Sequence, residues 1–147
     1  MEFRTYLEHV RADSERILAL APGNLEREVP CCPGWKVQEV VRHLAEVYEH
    51  KILCTELAAR PDPWPPAWPP ERDPLEWLGD AQGRLLELLS AKGAKTPSWT
   101  WYPPEQTAGF WGRRMAHETV IHRVDVELAV GSISPVEPEL GLDGIDE

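Results

Sequence analysis

The stretch Val37-Gln38-Glu39-Val40-Val41-Arg42-His43-Leu44-Ala45-Glu46-Val47-Tyr48 decides the fold. Its apolar residues Val37, Val40, Val41, Leu44, Val47 and Tyr48 return at the period of a helix with one buried face, not with the alternation of a strand. A helix is therefore expected from about Lys36, after the turn Pro30-Cys31-Cys32-Pro33-Gly34-Trp35, to Ala59. Arg60-Pro61 stops it, because a proline lacks the N–H the next turn needs.

Working outward, three more segments read the same way. The first runs from about Glu2 to Leu20, with Phe3, Tyr6, Leu7, Val10, Ile17 and Leu18 on its apolar side, and ends at Pro22-Gly23. The proline-rich connection from Pro61 to Pro70 is expected to be a stiff, polyproline-like surface segment. A third helix starts at Asp73 as N-cap, with Pro74 in the first helical position and Glu76 completing the start signal. Leu75, Leu78, Ala81, Leu85, Leu88 and Leu89 form its buried face to about Ala91, and Gly93 closes it. The fourth runs from Thr107 as N-cap through Trp111 to Val130, with Gly131 just past its end. No segment alternates convincingly as a strand, and no GxSxG or glycine-rich phosphate loop is present. The class is all-α, an antiparallel four-helix bundle over residues 1–131. Residues 132–147 carry Glu137, Glu139, Asp143, Asp146 and Glu147 and no basic residue, and are expected to be a solvated acidic tail or linker.

Composition narrows the partners. The formal net charge of −10 argues against nucleic acid or an anionic membrane surface, which need basic patches. No apolar run approaches the ~20 residues that span a bilayer, and the N-terminus lacks an apolar signal-peptide core, so a cytoplasmic location is expected. The three cysteines, Cys31, Cys32 and Cys54, make no disulfide framework and no C-x-x-C pair; reduced thiols are expected, with Cys31 and Cys32 in a turn. The oligomeric state is not specified by the sequence.

The chemistry sits in Met115-Ala116-His117-Glu118-Thr119-Val120-Ile121-His122-Arg123. Glu118 and His122, four apart, are about 40° apart around a helix axis, on the side of Trp111, Met115, Val126 and Ala129. An inward carboxylate is costly unless paired, hydrogen-bonded or bound to metal. Glu118 can pair with Arg114 one turn earlier, hydrogen-bond His122, or join it at a metal. His117 lies about 140° from His122 and cannot share its ligands. The spacing is not that of the HExxH zinc proteases, because the second histidine falls one position late. His43, at the border of the second helix's apolar stripe, is either a hydrogen-bonded border residue or a third ligand; His50 and Cys54 are too far along to join it. His43, Glu118 and His122 together give the three N/O ligands of an open, catalytic-type site. That donor set does not fix the metal, because it suits nickel, iron or manganese as well as zinc. Asp125, one turn past His122, is either an acceptor orienting a ligand or an acid pairing with Arg123 or Arg114.

Pro33-Gly34-Trp35, then Val40-Val41-Arg42-His43-Leu44-Ala45, then Arg114 through Asp125 resemble the N-terminal domain of the mycothiol-dependent maleylpyruvate isomerase family, within the wider DinB/YfiT-like metal-binding bundles. The resemblance spans nearly the whole chain. It implies a four-helix bundle holding a divalent metal, usually zinc, on a histidine of the second helix and a glutamate and histidine of the fourth, here His43, Glu118 and His122. It further implies mycothiol or a similar thiol, activated on the metal to attack a small-molecule electrophile in an isomerase or S-transferase reaction. Lys36 stands where that family usually has a serine or threonine cap. Full-length members continue into a small C-terminal domain that completes their active site, so the tail 132–147 is expected to lead toward such a domain. The alternative to an enzyme is a non-catalytic metal- or ligand-binding module acting with a partner protein or domain.

Overall fold

The computed structural model describes residues 1–66 and 71–146. Five helices occupy these residues: α1 (Phe3–Leu20), α2 (Val37–Leu57), α3 (Pro74–Lys92), α4 (Ala108–Val130) and α5 (Pro138–Ile145). Among the described residues there is no strand, only two isolated antiparallel bridges, Glu28–Lys36 and Pro97–Thr107. The four long helices start and stop within two residues of the positions that periodicity and breakers indicate.

Their buried faces are the apolar stripes. Val37, Val40, Val41, Leu44 and Tyr48 of α2 are fully buried, as are Leu78, Ala81, Leu85 and Leu89 of α3 and Val10 and Ile17 of α1. Each large side chain so buried contributes about 1.5–3 kcal/mol. α1 packs mainly on α4 and α2 mainly on α3, while α2 also meets α4 and α1 meets α3. The α1–α4 approach is close at Gly112, where an added Cβ would meet the Phe3 ring and force it to shift.

The helix starts are secured in two ways. Asp73 accepts from the N–H groups of Leu75 and Glu76, both at 2.9 Å, as its position implies. Thr107 and Lys36 stand in the N-cap positions but their side chains accept no capping bond. A lysine has no acceptor to offer, and the Lys36 ammonium turns to Glu26 instead. Backbone carbonyls satisfy the orphan donors. Val37 N–H donates to Arg27 O and Gln38 N–H to Leu25 O, while Ala108 N–H donates to Thr96 O and Gly109 N–H to Ala94 O. Glu39 supplies the acidic half of a capping box, accepting from Lys36 N–H at 2.8 Å.

Of the proline-rich connection, Pro61 is buried and Trp64 half-buried, its ring 4.5 Å from that of His50. The rest of the expected polyproline-like run, 67–70, lies outside the described residues. No described helix is long and apolar enough to cross a membrane.

The acidic tail departs from the expectation of a solvated linker. Pro138 opens α5, whose Leu140 is 1% exposed against the core. Asp143 accepts from Tyr6 Oη (3.0 Å), Arg113 Nε (2.9 Å) and His117 (2.8 Å), tying α5 to α1 and α4. Burial works against its charge, but Arg113, His117 and Tyr6 outweigh burial and hold the carboxyl at about 2. Between α4 and α5, fully buried Glu127 accepts from Arg16, Arg123 and the Ser134 N–H and hydroxyl. Asp143 of the tail is thus structural, because its cations are supplied by the long helices.

Candidate metal centre

The α2–α4 contact brings His43 of α2 together with Glu118 and His122 of α4. His43 Nε2 and His122 Nε2 each lie 3.2 Å from the same oxygen, Glu118 Oε1. The three ligand atoms fall within 4.8 Å of one another. Nitrogen and oxygen ligands on opposite arms of a tetrahedral zinc are separated by about 3.4 Å, given its ordinary bond lengths. The donor set and its spacing therefore fit one divalent cation with a free coordination position.

The surroundings prepare these atoms. Arg114 holds the other oxygen, Glu118 Oε2, at 2.6 Å. Pairing with Arg114 and facing the histidines are thus not alternatives, because each uses its own carboxylate oxygen. Burial alone would raise the Glu118 carboxyl, but hydrogen bonds from His122 and His43 and the charge of Arg114 reverse this and hold it well below the usual range. His122 Nδ1 donates to Asp125 Oδ2 at 2.9 Å, which leaves Nε2 facing the site. Burial pushes the His122 imidazole down, yet Asp125 and Glu118 together lift it to about 9. A cation binding here must replace the proton on Nε2. Asp125 is taken up by His122, while Arg123 turns to Asp13 and Glu127. His117 points away to Asp143, as its angle from His122 requires.

A family model described as the mycothiol maleylpyruvate isomerase N-terminal domain matches residues 7–127. The chain belongs to that family. The match takes in the whole trio, His43, Glu118 and His122, and ends before α5. No significant match is found among curated proteins or solved structures.

Two features beside the trio were not evident from the sequence. A cleft of about 290 Å³ is lined by His43, Glu46, Val47, His50, Lys51 and Trp64. Lys51 is 7% exposed, and its ammonium lies over the Trp111 and Trp101 rings at 4.6 and 5.2 Å. It contacts His50 Nδ1 at 3.0 Å and, among the described residues, forms no ion pair with a carboxylate. Burial lowers the Lys51 ammonium to about 8 and, with Lys51 and Arg60 nearby, lowers His50 to about 4. The only sequence signal for Lys51 is a lysine one turn after an apolar position, which is commonplace on a helix. The second feature is the Cys31-Cys32 turn, which packs against Asp125, with Cys31 Sγ 3.0 Å from Oδ1. The adjacent pair was visible in the sequence, its carboxylate partner 93 residues away was not.

Proposed function

We propose that this domain is an antiparallel four-helix bundle of the DinB/YfiT-like kind that holds one divalent metal, zinc by preference, between His43, Glu118 and His122, and that it serves a mycothiol-dependent enzyme acting on a small-molecule electrophile. The convergence of two imidazole nitrogens from different helices on Glu118 Oε1 carries this reading. Family membership supports the thiol.

When bound, the metal supplies Lewis acidity that makes a coordinated thiol available as thiolate at neutral pH. The protein's own residues do the rest. Asp125 selects the His122 tautomer, and Arg114 leaves one Glu118 oxygen free for the cation. Lys51 places a positive charge in the cleft that it shares with His43 and Glu46, where an anionic thiol or electrophile gains from it. Addition of the thiolate to an activated double bond, rotation and expulsion of the same thiolate would isomerise the electrophile. Displacement of a leaving group would instead transfer the sulfur. Low-molecular-weight thiols are kept reduced in the cytoplasm, where we place the reaction.

Chelator-treated protein reloaded with zinc and given a thiol with an activated cis-alkene or an S-transfer electrophile tests this. Metal-dependent turnover that vanishes in His122→Ala is expected. Tight metal binding with no thiol-dependent turnover would favour the non-catalytic module. Failure of the parent to take up metal, or unchanged turnover in His122→Ala, overturns the proposal.

A further inference from the structure

We propose that Cys31, Cys32 and Asp125 form a second cation site, selective for a thiophilic ion such as zinc, cadmium or copper(I), beside the histidine site and joined to it through Asp125. Adjacent cysteines in extended chain point to opposite sides. Here the turn brings both thiols to one carboxylate. Cys31 Sγ lies 3.0 Å from Asp125 Oδ1 and Cys32 Sγ 3.9 Å from Oδ2. Sulfur and oxygen ligands on a tetrahedral zinc are separated by about 3.6 Å, between these two distances. The three ligand atoms lie within 4.8 Å of one another.

The backbone holds that arrangement. Cys32 N–H donates to Val29 O at 3.1 Å and Trp35 N–H to Cys32 O at 2.9 Å, and Gly34 takes a φ of +83° that an L side chain would resist. Val29 N–H in turn donates to Trp35 O at 2.9 Å, so the turn is closed on itself. Cys31 is exposed and Cys32 half-buried, which gives an ion a way in, whereas Asp125 is buried. Two thiolates and a carboxylate are softer than the neighbouring two imidazoles and a carboxylate, so the two sites differ in the cations they prefer. The Asp125 hydrogen bond, with burial adding, pushes the Cys31 thiol up to about 11, which argues against a free nucleophile there. Asp125 also accepts from His122, so one carboxylate serves both sites. The cysteine ligands themselves do not depend on the reading proposed for His43, Glu118 and His122.

The test titrates the full chain, metal-stripped and kept reduced with a phosphine, with cadmium or cobalt(II), following both stoichiometry and near-ultraviolet absorption. Thiolate ligation produces a charge-transfer band that imidazole and carboxylate ligands do not. We expect two equivalents bound, one of them with the band. The Cys31→Ser/Cys32→Ser variant should lose the band and one equivalent. Cys54→Ser, which removes the buried third thiol, should keep both. In His43→Ala/His122→Ala the band should survive, supporting the cysteine site whatever becomes of the histidine site. A parent that binds one equivalent without the band overturns this inference and leaves the histidine site standing. A band undiminished in the double serine variant overturns it as well.

Discussion

His122 Nδ1 lies 2.9 Å from Asp125 Oδ2, and this one hydrogen bond decides which imidazole nitrogen faces Glu118 and His43. Partners of this kind orient a ligand and raise its basicity. Asp125→Asn keeps the shape but removes the charge. Competition with a chromophoric chelator should show zinc affinity at the histidine site reduced about 10–100-fold. Unchanged affinity would mean that Asp125 plays no part in preparing His122.

The elevated His122 imidazole gives a pH dependence with a defined sign. Its value rises from the ordinary 6.5 to about 9 on folding, so the folded state holds the proton more tightly. Its stabilising contribution is complete below 6.5 and is lost as pH rises through about 9. The full interval corresponds to on the order of 3 kcal/mol. Urea unfolding of metal-free protein between pH 6 and 9 should show a declining stability difference between the parent and His122→Ala. Calorimetry of the Cys31→Ser/Cys32→Ser protein in buffers of different ionisation enthalpy should show close to one proton released per zinc at pH 7. A flat difference, or no proton release, would contradict this protonation state.

Lys51 gives the opposite slope. Burial lowers its value from 10.5 to about 8, so the unfolded state binds the proton more tightly and stability rises with pH across that window. The penalty at pH 7 is on the order of 3 kcal/mol before the tryptophan contacts offset part of it. Lys51→Met should therefore raise the unfolding midpoint at pH 7, and the gain should shrink toward pH 10.5. The buried Cys54 thiol, whose raised value acts in the other direction, titrates above Lys51 and leaves the comparison at pH 7 clear. A destabilised variant at pH 7 would show that the lysine's packing outweighs its charge.

Much of this fold could be read from particular residues. Leu44 and its neighbours on α2, and the Asp73-Pro74 start of α3, carry local signals strong enough to place a helix without knowledge of its partners. The pairing of Glu118 with His122 is legible because spacing on one helix is itself geometry. The caps at Lys36 and Thr107 were harder, because their donors are satisfied by carbonyls of Arg27, Leu25, Thr96 and Ala94, and no residue type encodes that. α5 is not legible in the sequence for a related reason. Its acidic residues look solvated until Tyr6, Arg113 and His117 are brought to Asp143 by the packing of α1 on α4. Lys51 and the Cys31–Asp125 contact are likewise products of tertiary packing.

α5 provides its own test. Asp143→Ala takes the acceptor from Tyr6, Arg113 and nearly buried His117 at once. Hydrogen bonds to a charged group are worth about 1.5–3 kcal/mol each and do not simply add. A loss of about 2–3 kcal/mol in urea unfolding is expected. Leu140→Ala should cost about 2–5 kcal/mol, as for other core truncations. If both variants unfold like the parent, α5 is not docked as described.

X-ray absorption at the zinc edge of the Cys31→Ser/Cys32→Ser protein, loaded with one equivalent, tests the central claim most directly. The account predicts a first shell of nitrogen and oxygen at about 2.0–2.1 Å with outer-shell scattering from two imidazoles, and no sulfur. His43→Ala and His122→Ala should each remove one imidazole from that pattern. A first shell without imidazole, or one unchanged in both variants, would show that zinc does not sit between His43, Glu118 and His122.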